Sequence, residues 1–76
     1  MNTLNELKII FEHIFNVNNI NISLNTPIGG LEGWDSFKNV EILIACEDNF
    51  NIRFSSQEID SIASIGSLVQ LIEKKR

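Results

Sequence analysis

Residues 33–50, Gly-Trp-Asp-Ser-Phe-Lys-Asn-Val-Glu-Ile-Leu-Ile-Ala-Cys-Glu-Asp-Asn-Phe, decide the fold of this chain. Gly33 and Trp34 lead into Asp35, a residue type that favours the N-cap position of a helix. An apolar-rich segment of about four turns follows, so the sequence predicts a helix from about residue 36 to residue 50. Ser36 then lies at the positive end of the helix dipole, where a phosphate group is electrostatically favoured.

The predicted helix has two apolar faces. At about 100° per residue, one coherent face contains Ile42, Leu43, Cys46 and Phe50, and we expect it to form the core. The spacing places the other apolar residues on a second stripe, bordered by carboxylates, that suits the docking of a partner protein. The members of this predicted docking face are Phe37, Val40, Glu41, Ile44, Glu47 and Asp48. The alternative is that Val40 and Ile44 are simply further core residues.

The rest of the chain predicts three more helices and one long loop. Thr3 and Glu6 form a capping-box pattern for a first helix that runs to about residue 15. Residues 16–33 contain five asparagines, the only proline and three of the four glycines, which favour turns. Ser55 or Ser56 is expected to cap a short third helix, and Ser64 a fourth. We therefore predict a single all-α domain over residues 1–76, a four-helix bundle with a long loop between helices 1 and 2.

Composition and charge exclude several classes of protein. The chain has a net charge of −4, which argues against nucleic acid as a ligand, and an acidic middle that suggests basic partners. These charges alternatively serve only solubility. One cysteine and one histidine suffice neither for a disulfide nor for a structural zinc site, so no metal is expected. Neither a signal peptide nor a membrane-spanning stretch is evident, so we expect a soluble, cytoplasmic protein that does not bind membranes.

The central helix resembles that of the acyl carrier proteins. Asp35-Ser36-Phe37 is similar to the Asp-Ser-Leu motif at the start of that family's second helix. Val40-Glu41-Ile42 and the closing Glu47-Asp48-Asn49-Phe50 are similar to its Val-Glu-Leu run and its acidic stretch ending in Phe. The resemblance extends over most of the chain, because the order and lengths of the predicted helices also agree.

The resemblance implies that Ser36 carries 4′-phosphopantetheine, added by a separate phosphopantetheinyl transferase, with Asp35 as the motif residue that caps the helix. The thiol of the group would hold acyl or aminoacyl intermediates as thioesters and deliver them to acyl-loading and acyl-processing enzymes with basic docking surfaces. We also expect a monomer. On physical grounds we expect a bound acyl chain to be sheltered between helices 2 and 3, because the short third helix can open from the second. The shelter residues would be Val40, Ile44, Ile59 and Ile62.

Three residues depart from the family pattern. Phe37 replaces the usual Leu, Lys38 stands where an acid is frequent, and Trp34 is bulkier than the small residue common in fatty-acid carriers. We therefore expect a dedicated carrier in a specialised pathway, such as polyketide, nonribosomal-peptide or modified-sugar assembly, rather than a general carrier of fatty acid biosynthesis.

Two other functions use the same residues. Catalysis by Ser36 or Cys46 with His13 as base lacks a nucleophile elbow and an oxyanion loop, so no catalytic residue and no enzymatic activity are expected. The remaining alternative is a non-catalytic helical interaction module without a prosthetic group. It would use the same apolar and acidic helix with Ser36 unmodified.

Overall fold

Four helices, connected by one long and two short segments, make up the fold. The computed structural model describes residues 2–76, with α1 at Thr3–Phe15, α2 at Ser36–Phe50, α3 at Ser56–Ser61 and α4 at Ile65–Lys75. Within these residues the only β pairing is an isolated bridge between Pro27 and Ser64. The prediction of an all-α fold with a long first loop and a short third helix is confirmed.

The N-terminus of α1 differs from the prediction by one residue. Asn2, not Thr3, is the N-cap, and its side chain accepts a hydrogen bond of 2.8 Å from the backbone N–H of Asn5. Thr3 is buried, and its hydroxyl bonds to Glu73 and Arg76 at 3.3 Å each. Glu6 pairs with Arg76 at 2.7 Å instead of completing a capping box. The cap moves because these bonds tie the first turn of α1 to the end of α4.

The core lies between α1, α2 and α4. Leu7 and Phe11 of α1 are fully buried, as are Ile65 and Ile72 of α4. From α2 the buried residues are Ile42, Leu43, Cys46 and Phe50, which is the face predicted from helical spacing. Burial of this apolar face is the main source of stability in a domain of this size, which lacks a disulfide.

The long loop between α1 and α2 is held against the core and against the start of α4. Ile22 is buried, and Ile20, Ile28 and Leu31 pack on the core cluster. Leu24 is the exception, with half of its surface exposed. Its backbone makes the contact instead, because its carbonyl accepts from the N–H of Gly66 at 2.9 Å. A Cβ atom at Gly66 would lie 2.8 Å from that oxygen, so this approach requires glycine.

The third helix is attached by polar contacts and contributes no buried residue. Ser55 is its N-cap and forms a capping box with Glu58. The Glu58 carboxylate also pairs with Lys75 of α4 at 3.0 Å. The Ser64 N-cap predicted for α4 is confirmed. Because helices with few buried apolar contacts open most easily, α3 is the least anchored of the four.

Candidate functional site

Ser36 is the first residue of α2 and is exposed. Asp35 is the N-cap, as predicted, and its carboxylate accepts from the N–H of Lys38 at 2.9 Å. The backbone N–H groups of Ser36 and Phe37 have no acceptor among residues 2–76, and neither does the Ser36 hydroxyl. The site therefore presents an accessible hydroxyl next to two free N–H donors at the positive end of a helix.

Trp34 forms the support beneath this helix start. Its ring packs edge-on against Phe11 and Phe15, with centroid distances of 5.2 and 6.3 Å. Its Nε1–H donates to Oδ1 of Asn39 at 3.2 Å, which joins the residue before the motif to the first turn of α2. The size of Trp34, which departs from the family pattern, is thus used to fill the space between α1 and α2.

Lys38 is directed away from the hydroxyl and towards α1. Its ammonium group donates to the carbonyl of Ile14 at 3.1 Å and lies 5.8 Å from the ring centroid of Phe15. A second contact, with Glu41, measures 3.7 Å. The lysine therefore neutralises the C-terminal end of α1, where carbonyl groups lack helical partners.

The second apolar stripe of α2 is exposed. Phe37 is 74% exposed, and Val40 and Ile44 are 53% exposed each. The alternative that Val40 and Ile44 belong to the core is therefore wrong. We call Phe37, Val40 and Ile44 the α2 ridge. It starts at the residue after Ser36 and follows the helix for two turns.

The three predicted carboxylates have different environments. Asp48 is exposed, and Glu41 is half-buried beside Lys38. Glu47 has only 18% of its side chain exposed and accepts a hydrogen bond of 2.8 Å from the backbone N–H of Phe54. It also lies 3.6 Å from Arg53. Glu47 is thus engaged with the α2–α3 connection, which helical spacing alone does not indicate.

A groove between α1 and α2 adjoins Asp48. It measures about 480 Å³ and is lined mainly by apolar side chains of α1 and by Ala45, Asp48 and Asn49 of α2. Ile9, 54% exposed, and His13 belong to its α1 wall. The pairing of two helices creates this groove, and no local pattern in the sequence predicts it.

The four residues of the expected acyl shelter are accessible to different degrees. Val40 and Ile44 belong to the α2 ridge, Ile59 of α3 is 36% exposed, and Ile62 is half-buried against the core. None of the four lines the groove beside Asp48. None of them lines a second, smaller depression that adjoins Ser36 either. The structure thus leaves apolar surface on α2 and α3 without joining these four side chains in either space.

The two residues considered as a catalytic pair, His13 and Cys46, differ in exposure. His13 is exposed on α1, whereas Cys46 is fully buried. Burial, and secondarily the negative charge of Glu47, raises the pKa of the Cys46 thiol to about 12. Such a thiol is a packing residue rather than a nucleophile. Within residues 2–76, three or more potential metal-binding side chains do not come together anywhere.

The comparisons with known proteins define the class. Residues 5–72 match the family model described as the phosphopantetheine attachment site, and the chain belongs to this family. The predicted resemblance and the predicted prosthetic group, 4′-phosphopantetheine, are confirmed at the level of the family. The family consists of carriers rather than catalysts, in agreement with the prediction that the chain is not an enzyme.

Two relatives make the resemblance specific. The acyl carrier protein of Wolinella succinogenes is 39% identical over 44 residues, a match that spans 58% of this chain and 58% of that protein. The solution structure of the holo acyl carrier protein from Geobacter metallireducens superimposes with a TM-score of 0.89 at 28% identity. That superposition covers 99% of this chain and 86% of the other. In the part of this chain that the structure describes, none of the helices is long and apolar enough to cross a membrane.

The residues around Ser36 fit a phosphodiester-linked group. The exposed hydroxyl provides an attachment point, and the free N–H groups of Ser36 and Phe37 suit phosphate oxygens. Lys38, the base closest to Ser36 in sequence, has its ammonium group bonded to the carbonyl of Ile14 in α1. The chemistry of the donors and the accessibility of the serine agree with the prosthetic group of the family.

Proposed function

We propose that this chain is an acyl carrier protein whose Ser36 is the attachment residue for 4′-phosphopantetheine. The observation that carries the proposal is the exposed hydroxyl of Ser36 at the start of α2, beside N–H groups without acceptors. When bound, the group supplies a flexible arm with a terminal thiol that holds an acyl or aminoacyl chain as a thioester. The protein itself provides attachment, exposure and recognition.

The α2 ridge and its carboxylates are the proposed docking face for the transferase and for the enzymes that load and process the acyl group. Exposed apolar side chains provide affinity, and neighbouring charges accelerate encounter with basic surfaces. Phe37, Val40 and Ile44 supply the apolar part, while Asp48 and Glu41 supply the negative potential. Glu47 contributes at the edge of this face, because Phe54 and Arg53 already engage its carboxylate.

The proposal extends to the setting and to the cargo. The buried Cys46 leaves no thiol for a disulfide between chains, and a chain without a disulfide suits a monomer in a reducing, cytoplasmic environment. Departures at Trp34, Phe37 and Lys38 favour a dedicated carrier of a specialised pathway. Val40, Ile44, Ile59 and Ile62 remain the proposed contacts of a bound acyl chain.

The proposal is tested by intact-mass measurement after incubation with a broad-specificity phosphopantetheinyl transferase and coenzyme A. We expect a gain of one phosphopantetheine that disappears in Ser36→Ala. Ser56→Ala is the matched control, because Ser56 is likewise an exposed serine at the first position of a helix after its N-cap. It should be modified as fully as the unsubstituted protein.

The competing function, an interaction module without a prosthetic group, predicts a different result. No gain of mass with several transferases, on protein whose helical circular dichroism is intact, would support that module and contradict the carrier. Modification that persists in Ser36→Ala would show that the group is attached to another residue.

A further inference from the structure

A depression of about 300 Å³ lies directly beside Ser36, on the side of the helix start that faces the long loop. It is lined by Ile28 and Gly29 of the loop, by Trp34, and by Asp35, Ser36 and Asn39 at the beginning of α2. Ser36 is itself part of the wall. Any group attached to the serine therefore begins at the rim of this space.

The walls of the depression are fixed before anything binds. Trp34 is buried and packs edge-on against Phe11, and its indole N–H is bonded to Asn39. Ile28 is held by the hydrogen bond of 3.1 Å from its N–H to the carbonyl of Ala63. A preformed wall requires little ordering when a ligand enters, which favours binding.

The long loop leaves space in the depression at Gly29, because this residue has no side chain. Gly29 has a φ of +81°, a conformation that side-chain-bearing residues rarely adopt. It brings no side chain into the depression, so this part of the wall is bare backbone.

The lining combines apolar surface with the polar side chains of Asp35, Ser36 and Asn39. Ile28 and the ring of Trp34 provide the apolar surface. Asn39 uses its Oδ1 for the Trp34 indole, and its Nδ2 makes no hydrogen bond within residues 2–76. Such a lining suits a compact branched apolar group that is followed by an amide carbonyl.

The arm of phosphopantetheine has these two groups in this order. A quaternary carbon with two methyl groups follows the phosphate ester, and an amide comes shortly after it. We infer that the depression formed by Ile28, Gly29, Trp34 and Asn39 receives this dimethyl-bearing pantoyl segment, with the Asn39 Nδ2 donating to the amide carbonyl. This inference rests on the proposed attachment at Ser36.

Size and tethering support a segment of the arm as the occupant, rather than the acyl chain. A space of about 300 Å³ is at the lower limit for small-molecule pockets, too small for the whole arm with its cargo. Because the segment is linked to Ser36 by a few bonds, its effective concentration is on the order of millimolar, so even a weak intrinsic affinity fills the site. The thiol end then remains free to reach partner enzymes.

The test uses nuclear magnetic resonance on protein labelled with ¹³C and ¹⁵N and loaded from unlabelled coenzyme A. Trp34 is the only tryptophan, so its indole resonance needs no separate assignment. We expect isotope-filtered NOEs from the two arm methyl groups to the Trp34 ring and the Ile28 methyls. The indole N–H and the Asn39 side-chain amide should both shift between the unloaded and loaded forms.

Two substitutions make the test specific. Ile28→Ala should weaken the NOEs to Trp34, whereas Ile9→Ala, at an exposed isoleucine on α1 outside the depression, should leave them unchanged. The unsubstituted protein gives the NOE result by itself, should Ile28→Ala disturb the fold. NOEs from the arm methyls to Val40 or Phe37 instead, or no NOEs in fully loaded protein, overturn the inference while the mass gain preserves the carrier function. Failure to gain mass at all overturns the carrier function and this inference together.

Discussion

The carboxylate of Glu47 accepts a hydrogen bond of 2.8 Å from the backbone N–H of Phe54, across the turn that ends α2. Asn51, in the left-handed conformation, closes the helix, and Ile52 then enters the core. The Glu47 side chain thus fixes the segment that places α3. Glu47 belongs to the acidic motif, which suggests a role in docking. It also has a structural role, because its carboxylate holds the α2–α3 connection in place.

Replacement of Glu47 should lower the stability of the protein more than replacement of its neighbour Asp48. We expect Glu47→Ala to reduce the free energy of unfolding by about 1–2 kcal/mol, because it leaves a partly buried N–H without an acceptor. Asp48→Ala, at an exposed position, should change it by less than about 0.5 kcal/mol. Urea denaturation monitored by circular dichroism measures both. Equal effects of the two substitutions would contradict the role of the Phe54 contact.

Cys46 should react slowly with thiol reagents in the native protein. With a pKa of 9.0 in the unfolded chain and about 12 in the native protein, the thiolate fraction at pH 8 differs by roughly a thousandfold. Labelling by a disulfide reagent at pH 8 should therefore be slower by at least that factor than in denaturant, since burial also blocks access. Fast labelling of the native protein would show that α2 does not stay packed on the core.

The same thiol makes stability depend on alkaline pH. The native state holds the Cys46 proton more tightly than the unfolded state. The resulting contribution to the free energy of unfolding is fully present below about pH 9. Between pH 9 and about 12 the unfolded chain loses this proton first, and the free energy of unfolding falls as the pH rises. In Cys46→Ala this part of the fall should be missing. Parallel pH profiles for the two proteins would contradict the raised pKa.

Charge reversal on the docking face should slow association with a basic partner. At low ionic strength we expect roughly a tenfold slower association rate with a phosphopantetheinyl transferase for the double substitution Glu41→Lys and Asp48→Lys. The difference should shrink to about twofold or less near 0.5 M salt, where screening is strong. Stopped-flow fluorescence measures these rates.

A control separates the docking face from net charge. Asn5 on α1 and Gln70 and Glu73 on α4 are exposed, so the triple substitution Asn5→Lys, Gln70→Lys and Glu73→Lys adds the same four units of positive charge away from α2. This triple substitution should alter the rate far less than the α2 pair. An equal slowing by both variants would show that the partner responds to total charge rather than to the α2 carboxylates.

Helical periodicity and capping patterns predict much of this fold, because they act over a few residues. The core face of α2 and the caps at Asp35, Ser55 and Ser64 all follow from local spacing. The N-cap at Asn2 does not, because contacts of Thr3 with residues at the other end of the chain decide it.

In the candidate site, too, some features follow from local spacing and others depend on long-range contacts. The position of Ser36 at a helix start follows from its neighbours in sequence. The depression beside it depends on Ile28, which reaches α2 only through pairing of the loop with Ala63. Asn39 lies one turn after Ser36, so helical spacing places it near the serine. Spacing does not predict the hydrogen bond between Asn39 and the Trp34 indole. Long-range pairing leaves no local pattern.

The proposed acyl shelter predicts that cargo stabilises the protein. Each methylene removed from water contributes about 0.8 kcal/mol, so burial of only two or three methylenes of a chain on Ser36 is worth about 2 kcal/mol. In a domain of this size that corresponds to a rise in Tm of roughly 8–16 °C. Differential scanning calorimetry of the octanoyl and acetyl forms should show this difference. Ile59→Ala should reduce it, whereas Ile9→Ala, at an exposed isoleucine on α1, should not. Equal Tm values for the two acyl forms would mean that the chain stays in solvent and that α3 does not cover it.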